Sequence, residues 1–291
     1  MEAFKVTLAV VLIGVAFANK DDIKAENFLA KFGYYNPFAF DGSSNLGNAI
    51  KSFQNFYGLP ETGVLDKETK AEMDKPRCGM PDLKVTTNGY YGTSSKWRKT
   101  ALTYHFDNTG RDLSSSVTKN EIAKAFKMWS DKTSLTFREV SRGGDIKIGF
   151  FSYSHGDNSA FDGQGRVLAH AYFPENGRLH FDESETWAVN GGRGTDLLWV
   201  AVHEIGHALG LQHSNVRGTV MWPSYTGYQR GMQLHNDDIA GIRSLYGSGT
   251  GGTGTGGGSC QDKDNRCSGW RSYCRSNSFV KNNCKRTCNL C

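Results

Sequence analysis

The stretch Leu197-Leu198-Trp199-Val200-Ala201-Val202-His203-Glu204-Ile205-Gly206-His207-Ala208-Leu209-Gly210-Leu211-Gln212-His213 decides how the rest of the chain is read. Its apolar residues are almost continuous, which predicts a buried helix over about 195–211. His203 and His207 stand four apart, so both imidazoles project from one face of that helix and can share a metal ion. Glu204, beside the first of them, is placed to work on a water at that metal. A bare His-Glu-x-x-His spacing also arises by chance in core helices. Here it extends, because Gly210 lets the backbone leave the helix and turn, which brings His213 back to the same metal. Three neutral imidazoles with one position open is the ligand set of a catalytic zinc. Met221, in Val220-Met221-Trp222-Pro223, stands where a Met-turn would underlie such a site.

Outward from that helix the pattern mixes both periodicities. Residues 102–106 alternate as a strand, 116–130 carry helical spacing through Val117, Ile122, Ala125, Phe126 and Trp129, and 135–140 and 145–150 read as short strands. A long Gly/Asp/His-rich stretch fills 152–187, and a last helix is expected over 236–246. Strands mixed with a few long helices predict an α+β fold. Upstream, 25–32, 47–57 and 66–73 read as short helices separated by turns, the second with Ile50, Phe53 and Phe56 on one face and the third capped by Asp66. This N-terminal region is a small helical domain.

Composition bounds the function. With 38% hydrophobic and 12% aromatic residues, the 291-residue chain can fill a core, which excludes wholesale disorder. The net charge of +5 is confined to the end. Residues 260–291 hold seven basic side chains against Asp262 and Asp264, and the remainder carries 27 of each sign. A nucleic-acid footprint on the main body is therefore excluded. Six of the seven cysteines (Cys260, Cys267, Cys274, Cys284, Cys288, Cys291) crowd the same tail and read as a disulfide framework, although six cysteines allow 15 connectivities. Cys78 is left over. Lys5, the apolar run 6–17 and Ala16-Phe17-Ala18 read as a cleaved signal peptide over 1–18, so a secreted, disulfide-permissive context is expected. No later stretch is apolar over the roughly 20 residues of a membrane span. Residues 247–259 (GSGTGGTGTGGGS) have the composition of a flexible linker.

The motif from His203 to His213 with Met221 resembles the metzincins, and its surroundings resemble the matrix metalloproteinases in particular. Pro76-Arg77-Cys78-Gly79-Met80-Pro81-Asp82 matches that family's cysteine switch throughout, which gives the odd cysteine a role: a thiolate near a three-histidine zinc binds it more strongly than water and keeps a zymogen latent. The resemblance implies a twisted mixed sheet with three helices, preceded by a helical prodomain, with boundaries at 1–18 (signal), 19–90 (prodomain), 91–247 (catalytic domain), 248–259 (linker) and 260–291. It implies a second, structural zinc on His155, Asp157, His170 and His180, a closed set with no vacancy. It implies a calcium loop of Asp162, Gly163, Gly165 and Val167 with Asp182 and Glu185, oxygen ligands suited to a hard cation. The likeness breaks at a second calcium site: the loop 174–179 is shorter than the family's, Arg178 stands where an acid is expected, and Asp145 loses its companions. His105 and His235 are read as ordinary satisfied histidines. By resemblance the mature N-terminus lies near Tyr90 or Tyr91, paired with Asp237 or Asp238, and Trp199 lines the pocket for the substrate side chain after the scissile bond.

The tail resembles the ShKT domain of sea-anemone toxins and some secreted proteases, in place of the hemopexin domain usual in vertebrate relatives. That likeness implies the pairs Cys260–Cys291, Cys267–Cys284 and Cys274–Cys288. Toxins of this type that block potassium channels use an adjacent Lys-Tyr pair; here Tyr273 precedes Cys274 and Lys281 lies between Val280 and Asn282, so the pair is missing. The expectation is a monomeric, secreted zinc endopeptidase made as a zymogen, with two zinc ions and one or more calcium ions, acting on protein substrates of the extracellular matrix through Glu204 as general base. Its alternative is a venom or ion-channel-binding toxin acting through the basic tail, whose partner the residues do not identify. A non-catalytic zinc-binding adhesin would need an idle Glu204.

Overall fold

A computed structural model describes residues 20–36, 45–83 and 95–248, and in the tail Asp262, Cys267, Trp270, Arg271, Cys274, Val280 and 283–288. The signal segment, Tyr90 and Tyr91, nearly all of the linker and the Cys260–Cys291 pair lie outside these residues.

The N-terminal helices are α1 (Lys20–Lys31), α2 (Leu46–Tyr57) and α3 (Lys67–Met73). Asn45 caps α2 by accepting from the Asn48 amide, and Gly58, at φ 64°, ends it in the left-handed turn that glycine adopts without cost. Asp66 caps α3 as its position predicts, accepting from the Thr69 amide at 2.8 Å. α1 begins five residues earlier than the expected 25–32. Its first turn is polar, so apolar spacing cannot reveal it; Asp21 and Asp22 favour a helix start there, and Asp21 and Lys24 pair with Lys70 and Asp74 of the α3 region. The core of this domain is aromatic, with Phe32, Tyr34, Phe53 and Tyr57 all buried.

The larger domain is built on a six-stranded sheet. Its strands are β1 (Arg77–Cys78), β2 (Ala101–Phe106), β3 (Thr136–Glu139), β4 (Ile146–Phe151), β5 (Val167–Ala171) and β6 (Arg178–Asp182), in the order β1-β5-β6-β4-β2-β3. Only β5 and β6 pair antiparallel, so the sheet is mixed as expected. A two-stranded sheet joins β7 (Trp187–Ala188) to β8 (Thr195–Asp196). Two strands, β5 and β6, therefore lie inside the stretch 152–187 that sequence presents as a Gly/Asp/His-rich run. β5 is buried at every residue and so shows no alternation to mark it. β1 is also a departure, since the chain that follows the N-terminal helices contributes an edge strand to the sheet of the larger domain.

Three helices complete this domain: α4 (Ser115–Ser130), α5 (Leu197–Ala208) and α6 (Asn236–Tyr246). α4 is the crossover that parallel β2 and β3 require. It packs its Ile122–Phe126–Trp129 face on α5 and the sheet, and Trp129 donates its indole N–H to the Val202 carbonyl at 3.0 Å. In the tail, Cys267–Cys284 and Cys274–Cys288 are bonded, two of the three pairs that the resemblance implies. No helix among the described residues is long and apolar enough to cross a membrane.

Candidate metal centres and active-site cleft

Asp196 caps α5 by accepting from the Trp199 amide at 2.9 Å, which fixes the start of the helix and hence the rotation of everything on it. His203, Glu204 and His207 are all at most 1% exposed. Past Leu209 the chain turns at Gly210, whose φ of +105° disfavours any side chain and whose Cβ would meet the Ser95 carbonyl oxygen. His213 then returns to α5. The Nε2 atoms of His207 and His213 lie 3.1 and 3.2 Å from that of His203. Two rings are aimed through their other nitrogen, Nδ1 of His203 donating to the Val220 carbonyl and Nδ1 of His207 to the Leu211 carbonyl, both at 2.7 Å, while Nδ1 of His213 lies 2.8 Å from Asp82 Oδ1 without the geometry of a hydrogen bond. Oxygen neighbours at Nδ1 leave the Nε2 lone pairs pointing together, the arrangement of a metal site with its outer supports in place. Burial holds all three imidazoles below the usual histidine range, His203 to about 3, so they are neutral donors.

Cys78 completes the group. Its sulfur and the three histidine nitrogens lie within 4.8 Å of one another, and the residue is buried. Burial, and then the Glu204 carboxylate, pushes its thiol well above the ordinary value. Glu204, beside that thiol, makes no hydrogen bond of normal geometry to the described residues, and burial raises its pKa to about 8. An unsatisfied carboxylate in so dry a place is costly unless something polar joins it, so the donor set fits a zinc ion with water in the opened site.

β1 carries Cys78 into the cleft between β5 and the segment 223–225. Arg77 and Gly79 donate to the carbonyls of Arg166 and Ala169, Cys78 donates to Pro223, and the Tyr225 amide donates to Pro76. The strand is locked from behind by a buried ion pair. Arg77 binds Asp82 through both guanidinium nitrogens, donates to Tyr57 at 2.9 Å and lies 3.4 Å above the Phe32 ring. Despite burial, Arg77 and hydrogen bonding hold the Asp82 carboxyl down at about 2. The quoted motif contains Asp82, but nothing in its spacing reveals the contact with His213. Asp238 was equally hidden as a support: its carboxylate accepts from the amides of Val220, Met221 and His235, fixing the turn below the site. Its neighbour Asp237 accepts from the Ser214 hydroxyl at 2.7 Å. His105 and His235 have local partners, the Gly144 and Asp237 amides.

The second histidine group also assembles. Asp157 Oδ2 lies 2.9, 2.7 and 2.8 Å from ring nitrogens of His155, His170 and His180. His170 and His180 face each other across the β5–β6 pair, and His155 is stacked between Phe151 and Phe161. Burial opposes ionisation of Asp157, but the hydrogen bond and charge of His170 keep it below the usual carboxylate range; burial lowers His180 to about 4. Four donors round one point, all buried as side chains, fit a closed metal site.

For calcium, Asp162 accepts from the Val167 amide, Glu185 from the Gly165 amide, and Gly163 and Gly165 take positive φ. One Asp182 oxygen is buried without a partner among the described residues, and burial followed by the Asp182 and Asp162 charges raises Glu185. Asp162 and Asp182 lie near enough to act on Glu185 by charge, but these carboxylates are not drawn round one point as the two histidine groups are. Asp145 is used elsewhere, accepting from Thr103 and pairing with Lys99 at 2.7 Å, and Arg178 lies over the Tyr172 ring. Trp199 is 3% exposed, stacked on His203 at 5.6 Å and edge-on to Tyr225 at 5.2 Å.

The matrixin profile matches residues 96–247, a peptidoglycan-binding-domain profile matches 19–73 and an ShK domain-like profile 259–291. Hatching enzyme of Paracentrotus lividus is 47% identical over 247 residues, covering 83% of this chain and 41% of that protein. Matrix metalloproteinase-C of Caenorhabditis elegans is 40% identical over 257 residues, covering 79% and 44%. The chain thus spans less than half the length of these two relatives. Matrilysin of Rattus norvegicus is 40% identical over 229 residues, covering 77% of this chain and 85% of matrilysin. With the profile covering the whole of the domain that holds both histidine groups, the chain belongs to the matrixin family of zinc metalloendopeptidases.

Proposed function

We propose that this chain is the latent form of a secreted zinc endopeptidase that cleaves proteins of the extracellular matrix. The observation that carries this reading is the convergence of three Nε2 atoms beside a buried glutamate without a hydrogen-bond partner among the described residues, at the floor of a cleft that a peptide strand already occupies. When bound by His203, His207 and His213, zinc supplies Lewis acidity, polarising the scissile carbonyl and lowering the pKa of a water from about 15.7 toward ~7. Glu204 takes the proton of the attacking water and passes it to the leaving amine, first as general base and then as general acid. Met221 packs under the site, and Trp199 shapes the pocket beside His203 so that medium aliphatic side chains are preferred there.

Latency belongs to Cys78, which fills the open ligand position while the Arg77–Asp82 pair holds its strand in the cleft. Removal of 19–90 vacates it, and Asp237 or Asp238 receives the new N-terminal ammonium. His155, Asp157, His170 and His180 hold a structural zinc, and Asp162, Gly163, Gly165, Val167, Asp182 and Glu185 hold calcium. The catalytic unit spans 91–247, followed by the linker 248–259 and the disulfide module 260–291, closed by a third bond between Cys260 and Cys291. The protein works as a monomer. The test is cleavage of internally quenched peptides after proteolytic removal of the prodomain: turnover that a zinc chelator abolishes is expected, and inert enzyme with a full zinc complement would sink the proposal.

A further inference from the structure

Trp222 sits on the wall of the cleft, next to Pro223, whose carbonyl accepts from Cys78 of the resident strand. A large indole in that place would ordinarily meet solvent, yet it is 3% exposed. Both rings that pack on it among the described residues come from the prodomain: Tyr57 meets it edge-on at 5.1 Å and 82°, and Phe56 lies at 6.5 Å. Arg217 lies 5.0 Å from the indole and donates Nη2 to the Tyr57 carbonyl at 2.8 Å. Phe161 and Val167 join the same apolar cluster from the catalytic side.

Everything that forms this seat stays with the catalytic domain, and everything that covers it leaves with the prodomain. Departure uncovers an indole, an apolar floor and a guanidinium that has lost its acceptor. The cover also shows what the seat accepts, because one residue, Tyr57, supplies both an aromatic edge for Trp222 and a peptide carbonyl for Arg217. We propose that in the mature enzyme Trp222 and Arg217 form a subsite for an aromatic residue of the substrate, a few residues from the scissile bond. Trp222 adjoins Pro223, whose carbonyl accepts from the resident strand at Cys78, so a peptide in the cleft passes beside the seat. This deepens the endopeptidase reading and rests on it.

The test uses prodomain-free enzyme and peptides that share one scissile sequence, with phenylalanine walked through the flanking positions in place of alanine. An edge-on aromatic contact is worth about three- to tenfold in binding. At one position phenylalanine should raise kcat/KM over alanine by about that factor, mainly through KM. The ratio should fall to near one in Trp222→Ala, shrink in Arg217→Ala and survive in Trp222→Phe. Because each ratio is taken within one enzyme, a general loss of activity does not imitate the result. The same ratios are measured as Kd on a Glu204→Gln background, so that a seat without turnover would leave the subsite standing and overturn only the peptidase reading. No position-specific gain in either measurement, or a gain that persists in Trp222→Ala, would overturn the subsite.

Discussion

At Glu204 a carboxyl group is fully buried without a hydrogen bond of normal geometry to the described residues, and its neighbour Cys78 is the residue that the proposed activation removes. Glu204→Gln keeps shape and volume and removes only the ability to take a proton. The expected outcome is folded enzyme with unchanged zinc content and turnover lower by at least about 10²-fold, checked by peptide assay beside elemental analysis. Comparable turnover would assign the proton transfer elsewhere. Asp157 poses the corresponding test for the second centre, since one of its oxygens serves three imidazoles. Asp157→Ala should reduce the zinc content of the activated enzyme from two ions to one and lower its melting temperature. Two ions retained would show that the three imidazoles hold the second zinc without Asp157, and one ion in the unsubstituted enzyme would show that the group is a hydrogen-bond cluster alone.

The helix that carries the ligands is packed against the turn beneath it with no room to spare. A Cβ added at Gly206 would run into Met221 Sδ and lie 3.1 Å from a ring carbon of Trp129, so α5 can approach the turn only because that position is glycine. Gly206→Ala should gain about 1 kcal/mol of helix propensity and lose about 1–3 kcal/mol to overpacking, a net loss of up to about 2 kcal/mol. Denaturant unfolding of the activated enzyme measures it. Met221→Ala removes the obstructing atom, so the double variant should recover part of the loss relative to the sum of the singles. Strict additivity would mean that the two residues do not press on each other.

Across the whole molecule, the proposed latency depends on contacts between the N-terminal region and the larger domain. The Arg77–Asp82 pair is buried to 3% and 0% exposure, and Arg77 also holds the Cys78 carbonyl through Nε. Breaking such a pair from one side costs about 3–5 kcal/mol, since the remaining charge stays buried and unpaired. Arg77→Ala should therefore weaken the latent state selectively, giving activity before any protease is added, while the mature enzyme, which lacks both residues, keeps its melting temperature. Cys78→Ser should release activity by a separate route, replacing the ligand and leaving the ion pair intact. Activity of the secreted zymogen, compared with that after full processing, reads both. Wild-type latency in the two variants would place the block outside this strand.

Residue type and spacing determined much of this protein. His203, His207 and His213 are fixed relative to one another by a helical repeat and one glycine, and Cys78 by its own short motif, so their meeting could be read without coordinates. The prodomain helices showed themselves by caps and apolar faces, except for the polar first turn of α1. Sequence did not reveal β5 and β6, because a strand buried on both faces carries no alternation. Only the tertiary structure decided which oxygens aim two of the ligands, namely the carbonyls of Val220 and Leu211, and that the carboxylate of Asp82 lies beside the third. It also decided that Asp238 holds the turn and that Tyr57 covers Trp222. Every residue has the same backbone carbonyl, and a carboxylate or ring acquires its partner only when distant segments pack. Local spacing therefore records which side chains can bind a metal, while their orientation, covering and release come from contacts made across the fold.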